Sequence, residues 1–264
     1  MFYTGKRILL TGASSGIGKA LAMELARFNT KLVLVARNID ALTELKELCK
    51  AAGSEASIIP FDLADTKKVP ALARQVMACY QGIDVLINNA GVSQRAFTNE
   101  TPLEVDRKIM ELNYFSVITL TKALLPHMLQ QGEGYIAVTS SISGKFGFPL
   151  RSAYAASKHA LHGFFETLRA ETHSKGIRVL IACPGRINTP ISMHALNSQG
   201  KAHGKFDPGQ AKGMPAEVCA KKYLKAIRKD KKEVLIGGKE LLMVYIHKYF
   251  PNLFFTLARR IKPT

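Results

Sequence analysis

One local feature limits what this chain can fold into more than any other. An apolar run from Arg7 to Thr11 passes directly into Gly12-Ala13-Ser14-Ser15-Gly16-Ile17-Gly18, and residues from Gly16 to Phe28 then follow helical spacing. A strand that turns at once into a helix needs positions without a Cβ wherever backbone crowds backbone, and glycine supplies them. The helix so begun directs unpaired N–H groups and its positive dipole end at the strand tip, an arrangement suited to a phosphate. A strand, a glycine turn and a helix in that order point to a nucleotide held at the end of a parallel sheet.

The rest of the chain repeats the alternation. Apolar, β-branched runs recur at Lys31 to Ala36, Ala56 to Pro60, Ile83 to Asn88, Gly134 to Ser140, Ile177 to Ala182 and Glu233 to Ile236, with amphipathic stretches such as Ala41 to Ala52 between them. Runs that are apolar at nearly every position are strands covered on both faces. The spacing predicts an α/β fold, a doubly wound parallel sheet of about seven strands with helices on both faces. At 264 residues, 47% of them hydrophobic, the chain reads as one domain over 1–264.

Two segments break the rhythm. Residues 188–215 carry Pro190, Pro208, Pro215 and several glycines, and an irregular stretch this long reads as a substrate loop. Residues 239–264 form a basic, aromatic tail. Residues 200–264 hold 15 Lys/Arg and 5 Asp/Glu, or +10 of the total +17. The longest uncharged part of the tail, Tyr249 to Ala258, contains Pro251 and is too short to span a bilayer. Its aromatics beside Lys239, Lys248, Arg259, Arg260 and Lys262 suit peripheral contact with an anionic membrane, or packing on the chain's own domain or a second subunit.

Several function classes are set aside on the same grounds. Cys49, Cys79, Cys183 and Cys219 lie far apart, and His159 and His162 have no accompanying ligand motif, so neither disulfides nor a metal are expected. The charge of +17 comes with no nucleic-acid-binding motif, and no nucleic-acid partner is expected. The first strand begins only a few residues into the sequence, so the expectation is a protein without a signal or transit peptide, in the cytoplasm.

The chemistry-bearing residues follow the sheet. At the end of the second strand stand Ala36, Arg37 and Asn38, where an NAD enzyme places an acidic residue against the ribose hydroxyl. A guanidinium there favours a 2′-phosphate, hence NADP(H). Tyr154-Ala155-Ala156-Ser157-Lys158 sets a phenol and an ammonium one helical turn apart. A neighbouring cation lowers a tyrosine pKa from about 10 toward the range of a usable proton shuttle.

Taken together, T11-G-A-S-S-G-I-G18, Asn88-Asn89-Ala90-Gly91, Asn113, Ser141, Y154-A-A-S-K158 and Pro184-Gly185-Arg186-Ile187-Asn188-Thr189 resemble the short-chain dehydrogenase/reductase family from about residue 5 to 237. The resemblance implies a Rossmann fold and a catalytic set of Asn113, Ser141, Tyr154 and Lys158. Tyr154 would exchange the substrate proton, and Lys158 would bind the nicotinamide ribose and lower the tyrosine pKa. Ser141 would hydrogen-bond the carbonyl oxygen, with Ser140 its adjacent competitor. Asn113 would hold a water relaying protons from Lys158.

The implied cofactor contacts are Gly12, Ser14, Ser15, Gly16, Ile17, Gly18, Arg37, Asn38, Asp62, Leu63, Asn89, Ala90, Gly91, Tyr154, Lys158, Pro184, Gly185, Ile187 and Thr189. Asp62 has a helix-cap reading as well. Ser93-Gln94-Arg95, Gly144-Lys145-Phe146 and the segment around Tyr154 are similar to the family's membrane-associated branch of steroid and retinoid enzymes, although the N-terminal anchor usual there is not expected here. The implied activity is interconversion of a carbonyl and a secondary alcohol, on a lipid-like or steroid-like ketone, by a homodimer or homotetramer. Reduction of a 3-oxoacyl thioester and a non-catalytic NADP-binding sensor stand as the alternatives.

Overall fold

The computed structural model describes residues 2–260. In chain order the elements are β1 (Arg7–Thr11), α1 (Gly16–Ala26), β2 (Lys31–Ala36), α2 (Ile39–Ala51), β3 (Glu55–Pro60), α3 (Val69–Tyr80), β4 (Val85–Asn88), α4 (Leu103–Met110), α5 (Ser116–Gln131), β5 (Gly134–Thr139), α6 (Ser152–Thr172), β6 (Ile177–Pro184), β7 (Ile187–Asn188), α7 (Pro208–Ala211), β8 (Met214–Pro215), α8 (Ala216–Arg228), β9 (Glu233–Ile236), α9 (Leu242–Tyr249) and α10 (Pro251–Arg260). Seven strands pair in the order β3-β2-β1-β4-β5-β6-β9, every pair parallel. The doubly wound sheet expected from the strand–helix rhythm is the observed architecture. Strand order reverses between β1 and β4, and a crevice outside the carboxyl ends of such strands is where α/β folds bind ligands.

Side-chain alternation along the strands builds two cores. Ile8, Leu10, Leu32 and Leu34 face α1, α2 and α8 through Leu21, Leu45 and Tyr223. Leu9, Val33, Val35, Leu86 and Val138 face α3, α5 and α6 through Leu72, Leu124 and Phe165. One strand therefore feeds both layers, which is why its sequence is apolar throughout.

The two irregular segments are both folded. Residues 188–215 include the short parallel pair β7–β8 and the turn of helix α7, and Leu196 bridges to Gln94. The tail forms the hairpin α9–α10, whose Phe254 is buried against Phe146 with ring centroids 5.0 Å apart. Packing on its own domain is thus one part of what the tail does. Residues 261–264, including Lys262, lie outside the described residues. Among the described residues no helix is long and apolar enough to cross a membrane.

Helix α6 carries the Tyr154 and Lys158 pair, and Phe165 is the fully buried side chain that seats it on the sheet. Phe165→Ala is expected to lower unfolding free energy by about 3–5 kcal/mol through lost burial and a residual cavity. Urea denaturation of the two proteins measures it; a loss below about 1 kcal/mol would show that α6 is held elsewhere.

Candidate active site

The site is built where β1 and β4 part. Gly12 sits at φ +66°, and a Cβ on it would stand 2.8 Å from Ala90 Cα. A Cβ on Gly18 would lie within 2.8 Å of Asn89 Nδ2 and still closer to the Gly12 carbonyl oxygen. Both contacts are impossible for a side chain, so the glycines allow α1 to start directly against the strand tips. Asn89 braces the same place: its Nδ2 donates to the Thr11 and Gly12 carbonyls, and its Oδ1 accepts from Thr139 Oγ1. Ser15 caps α1 by position only, without a side-chain hydrogen bond, so the first amides of the helix remain available to a ligand.

A cavity of about 720 Å³ opens from this crevice. Of the expected cofactor positions, Gly12, Ser14, Ser15, Gly16, Ile17, Arg37, Asp62, Leu63, Asn89, Ala90, Gly91, Pro184, Gly185, Ile187 and Thr189 line it, together with Tyr154 and Lys158. The cradle of Cβ-free backbone and free amides fits a dinucleotide, whose phosphates the amides at the start of α1 would hold. Gly18 and Asn38 are the exceptions to the expected lining. Gly18 serves the packing of α1, and Asn38 caps α2 by accepting from the Ala41 N–H at 3.0 Å. Asp62 does two things at once, lining the cavity while its Oδ1 accepts from the Ala64 N–H.

The four expected catalytic positions converge from three segments: α6, the turn after β5 and the turn between α4 and α5. Tyr154 is buried on the first turn of α6, and its hydroxyl lies within hydrogen-bonding reach of Ser141. Ser141 also accepts from the Ser143 N–H, whereas Ser140 turns away to the Lys158 carbonyl and His162 Nε2. Lys158 Nζ donates to the Thr139 carbonyl at 2.8 Å and stands 5.8 Å from the Tyr154 ring centroid. Asn113 occupies a π-helical turn, Glu111–Phe115, inserted between α4 and α5.

The Asn113 side chain is tied in place, its Oδ1 accepting from the Val92 N–H and its Nδ2 donating to the Val92 carbonyl and Ser157 Oγ. One expectation about this set differs from what is found. The tyrosine pKa is raised, because full burial penalises the phenolate more than its surroundings favour it. The opposing influences are the Ser141 hydrogen bond and the guanidinium groups of Arg151 and Arg95. Burial likewise pushes Lys158 down to about 8.

Sequence reasoning missed Gln94. Its side chain is fully buried, its Oε1 accepts from the Ala153 and Tyr154 N–H groups, and its Nε2 donates to Thr101 Oγ1 and Ser152 Oγ. It caps α6 from a distant loop and so sets where Tyr154 begins its turn. A cap 60 residues away in sequence leaves no local signal. His162, Glu166 and Glu233 come together behind the sheet, but Lys145 Nζ stands among them, 3.2 Å from His162 Nδ1.

Comparison with known proteins decides the family, since residues 6–200 match the family model for short chain dehydrogenases. The chain belongs to the short-chain dehydrogenase family. This short-chain dehydrogenase is similar to mouse dehydrogenase/reductase SDR family member 7B, at 42% identity over 255 residues covering 95% of this chain and 79% of the relative. A Drosophila melanogaster dehydrogenase/reductase SDR family protein 7-like is 39% identical over 261 residues, covering 97% and 80%. Among solved structures, a short-chain dehydrogenase/reductase from Burkholderia phymatum in complex with NAD covers 100% of this chain and 98% of its own at TM-score 0.85 and 25% identity. An alcohol dehydrogenase from Thermococcus sibiricus complexed with 5-hydroxy-NADP covers 89% and 97% at TM-score 0.76 and 25% identity. This short-chain dehydrogenase is an oxidoreductase with a nucleotide-binding fold.

Burial of Lys158 has a measurable consequence for its stability. Between about pH 8 and the ordinary lysine value of 10.5, the unfolded chain holds a proton at Lys158 that the folded chain has released. Stability from this group therefore rises with pH through that window and is lost as pH falls toward 8. The buried thiols of Cys49, Cys183 and Cys219, pushed up to about 11, 12 and 12, act in the opposite direction and cancel when two variants are compared. The expected outcome is that the stability of Lys158→Met minus that of the parent falls steadily from pH 8 to 10.5 in urea titrations. A pH-independent difference would mean Lys158 remains charged in the folded chain.

Proposed function

We propose that the chain is an NADP(H)-dependent oxidoreductase that interconverts a carbonyl and a secondary alcohol, with Tyr154 as acid/base. The observation that carries the reading is the convergence of a buried phenol, the Ser141 hydroxyl and the Lys158 ammonium on the inner end of one dinucleotide-sized cavity. When bound, the nicotinamide supplies or accepts the hydride.

The chain's own residues do the rest. Ser141 and Tyr154 together hold the substrate oxygen, and in the reductive direction the Tyr154 O–H donates its proton as negative charge develops there. The phenolate left behind is stabilised by the Ser141 hydroxyl and by the positive field of Arg151, Arg95 and Lys158. Gln94 fixes the helix start so that the tyrosine oxygen stays in place. Burial keeps bulk water from competing for that proton.

Preference for the phosphorylated cofactor rests on Arg37. It is exposed at the end of β2, lines the adenosine end of the cavity and makes no side-chain hydrogen bond or ion pair among the described residues. Its neighbour Ala36 offers no acidic group. The apolar part of the lining, with Val92, Phe146, Phe148, Leu196 and Met243, suits a lipid-like or steroid-like ketone. A 3-oxoacyl thioester is the competing substrate class, and an NADP-binding sensor the competing role.

A membrane surface is the second part of the reading, on a specific observation. With Phe254 turned inward, Tyr245, Tyr249, Phe250, Leu253 and Phe255 of α9–α10 are all at least half exposed, beside Lys248, Arg259 and Arg260. The hairpin carries Met243, a cavity residue, so this apolar and cationic face borders the route to the site. Each basic residue is worth about 1 kcal/mol near an anionic bilayer.

Two measurements test these readings. Tyr154→Phe is expected to abolish ketone reduction while NADPH binding stays nearly unchanged, and Arg37→Ala to weaken NADPH but not NADH by about 1–3 kcal/mol, as for a lost charged hydrogen bond. Near-normal turnover of Tyr154→Phe, or equal affinity of the parent for both nicotinamides, would overturn the respective part. Binding without turnover of any ketone or thioester would favour the sensor. In co-sedimentation with phosphatidylserine vesicles, the parent should bind at low salt and be released at high salt, and Tyr249→Ser with Phe250→Ser should bind several-fold less. Indifference of the parent to these vesicles would return the tail to a purely structural role.

A further inference from the structure

The outer half of the cavity, beyond Tyr154, has an excess of positive charge. Arg95, Lys108, Arg151 and Arg186 line it, against the carboxylates of Asp207 and Glu240. Four cations face two anions, and neither anion is free. Asp207 Oδ2 accepts from both Arg95 Nε and an Arg95 terminal nitrogen, an ion pair with both side chains about 5% exposed. Glu240 Oε1 accepts from the Arg186 and Gly238 N–H groups. Arg95 is fully engaged, since its remaining nitrogen donates to Ser93 Oγ and the Gln94 carbonyl.

Of the other three cations, Lys108 and Arg186 are exposed to water, and Arg151 is the enclosed one whose donors are left largely unused. Its side chain is only 12% exposed, yet of its five N–H donors one has a hydrogen-bond partner, the Pro149 carbonyl. Its distance to the already shared Asp207 Oδ2 is 3.5 Å. The guanidinium carbon stands 4.9 Å from the Phe148 ring centroid, which fixes the group against an aromatic face and leaves its fork of donors on the cavity. A guanidinium so enclosed, with spare donors open to the cavity, is favourably completed by an anion there. Burial and the neighbouring Arg95 and Arg186 depress its pKa to about 10, the behaviour of a cation short of counter-charge.

We propose that Arg151, backed by the Arg95–Asp207 pair, binds an anionic group of the substrate, so that the ketone taken by this site carries a carboxylate or a phosphate. The inference deepens the oxidoreductase reading and rests on it for the word substrate. A planar guanidinium matches both oxyanions with paired hydrogen bonds, which an ammonium does not reproduce. Arg151 opens α6 one turn before Tyr154, so the oxyanion and the reacting carbonyl are placed by one rigid element. The loop of residues 188–215 contributes Asp207, and through it decides how the guanidinium pair is held.

The test separates binding from turnover. With the chain saturated with NADPH, so that the cofactor's own phosphate sites are filled, calorimetry compares hexyl phosphate, hexanoate and hexanol. The expected result is one site that binds an anionic ligand at least tenfold more tightly than hexanol, the stronger of the two identifying phosphate or carboxylate as the preferred group. Arg151→Met should remove most of that preference, and Arg151→Lys should retain part of it, since charge persists without the fork. Equal binding of hexanol and both anions by the parent overturns the proposal, as does an undiminished preference in either variant. Should Arg151→Met fail to fold, the parent and Arg151→Lys still decide. In a parallel assay the parent should reduce levulinate with a higher kcat/KM than methyl levulinate. Anion preference in calorimetry without any ketone turnover would leave the subsite standing and remove the oxidoreductase reading; turnover of both ketones without anion preference would do the reverse.

Discussion

Everything in this molecule depends on how closely two strand tips and one helix start approach each other. Gly12, Gly18, Asn89 and Ala90 occupy a space in which a single added methyl group would meet backbone atoms at 2.8 Å or less. Because no side chain intervenes, the first turn of α1 stands directly over the ends of β1 and β4, and the helix amides open into the crevice instead of onto protein. The same closeness lets one side chain, Asn89, tie β1, β4 and β5 together at their carboxyl ends. A looser junction would still make a parallel sheet, but it would have no cradle.

Around that junction many polar side chains are buried, which is expensive, and hydrogen bonds made by Asn113 and Gln94 offset part of the cost. Asn113 and Gln94 have no exposed surface, and every side-chain donor and acceptor named on them is paired. Lys158 has one carbonyl partner and a depressed pKa, and Tyr154 is raised by its burial. Stability and reactivity pull in different directions here. Tyr154 and Lys158 are kept short of partners, while Gln94 and Asn113 beside them are well paired.

Charge is arranged on the same logic at a longer range. Much of the surplus of +17 lies in the last quarter of the chain, on surfaces where water screens it. Inside the cavity the surplus is smaller but far less screened. Arg95, Arg151 and Asp207 come from three separate segments, and their field acts on both the phenol of Tyr154 and any ligand beside it. The tail adds a third arrangement, with Phe254 closing over Phe146 while its other aromatics remain outward.

The sequence by itself determined the sheet and marked out the candidate site residues, the first by short-range pattern and the second by motifs that resemble a family. Near-continuous apolar runs specify strands, glycines specify the crowded turn, and a phenol and ammonium four residues apart share a helix face whatever surrounds them. The resemblance singled out Ser141 over Ser140, and the two hydroxyls face different ways. Only the tertiary structure decided what those groups experience. Gln94 capping α6, Asn113 spending its amide on Val92 and Ser157, Arg151 sharing Asp207 with Arg95 and Phe254 packed on Phe146 all pair residues far apart in the chain. A pKa or a counter-ion depends on what lies within a few ångströms in space, and that neighbourhood exists only once the sheet has brought its loops to one edge.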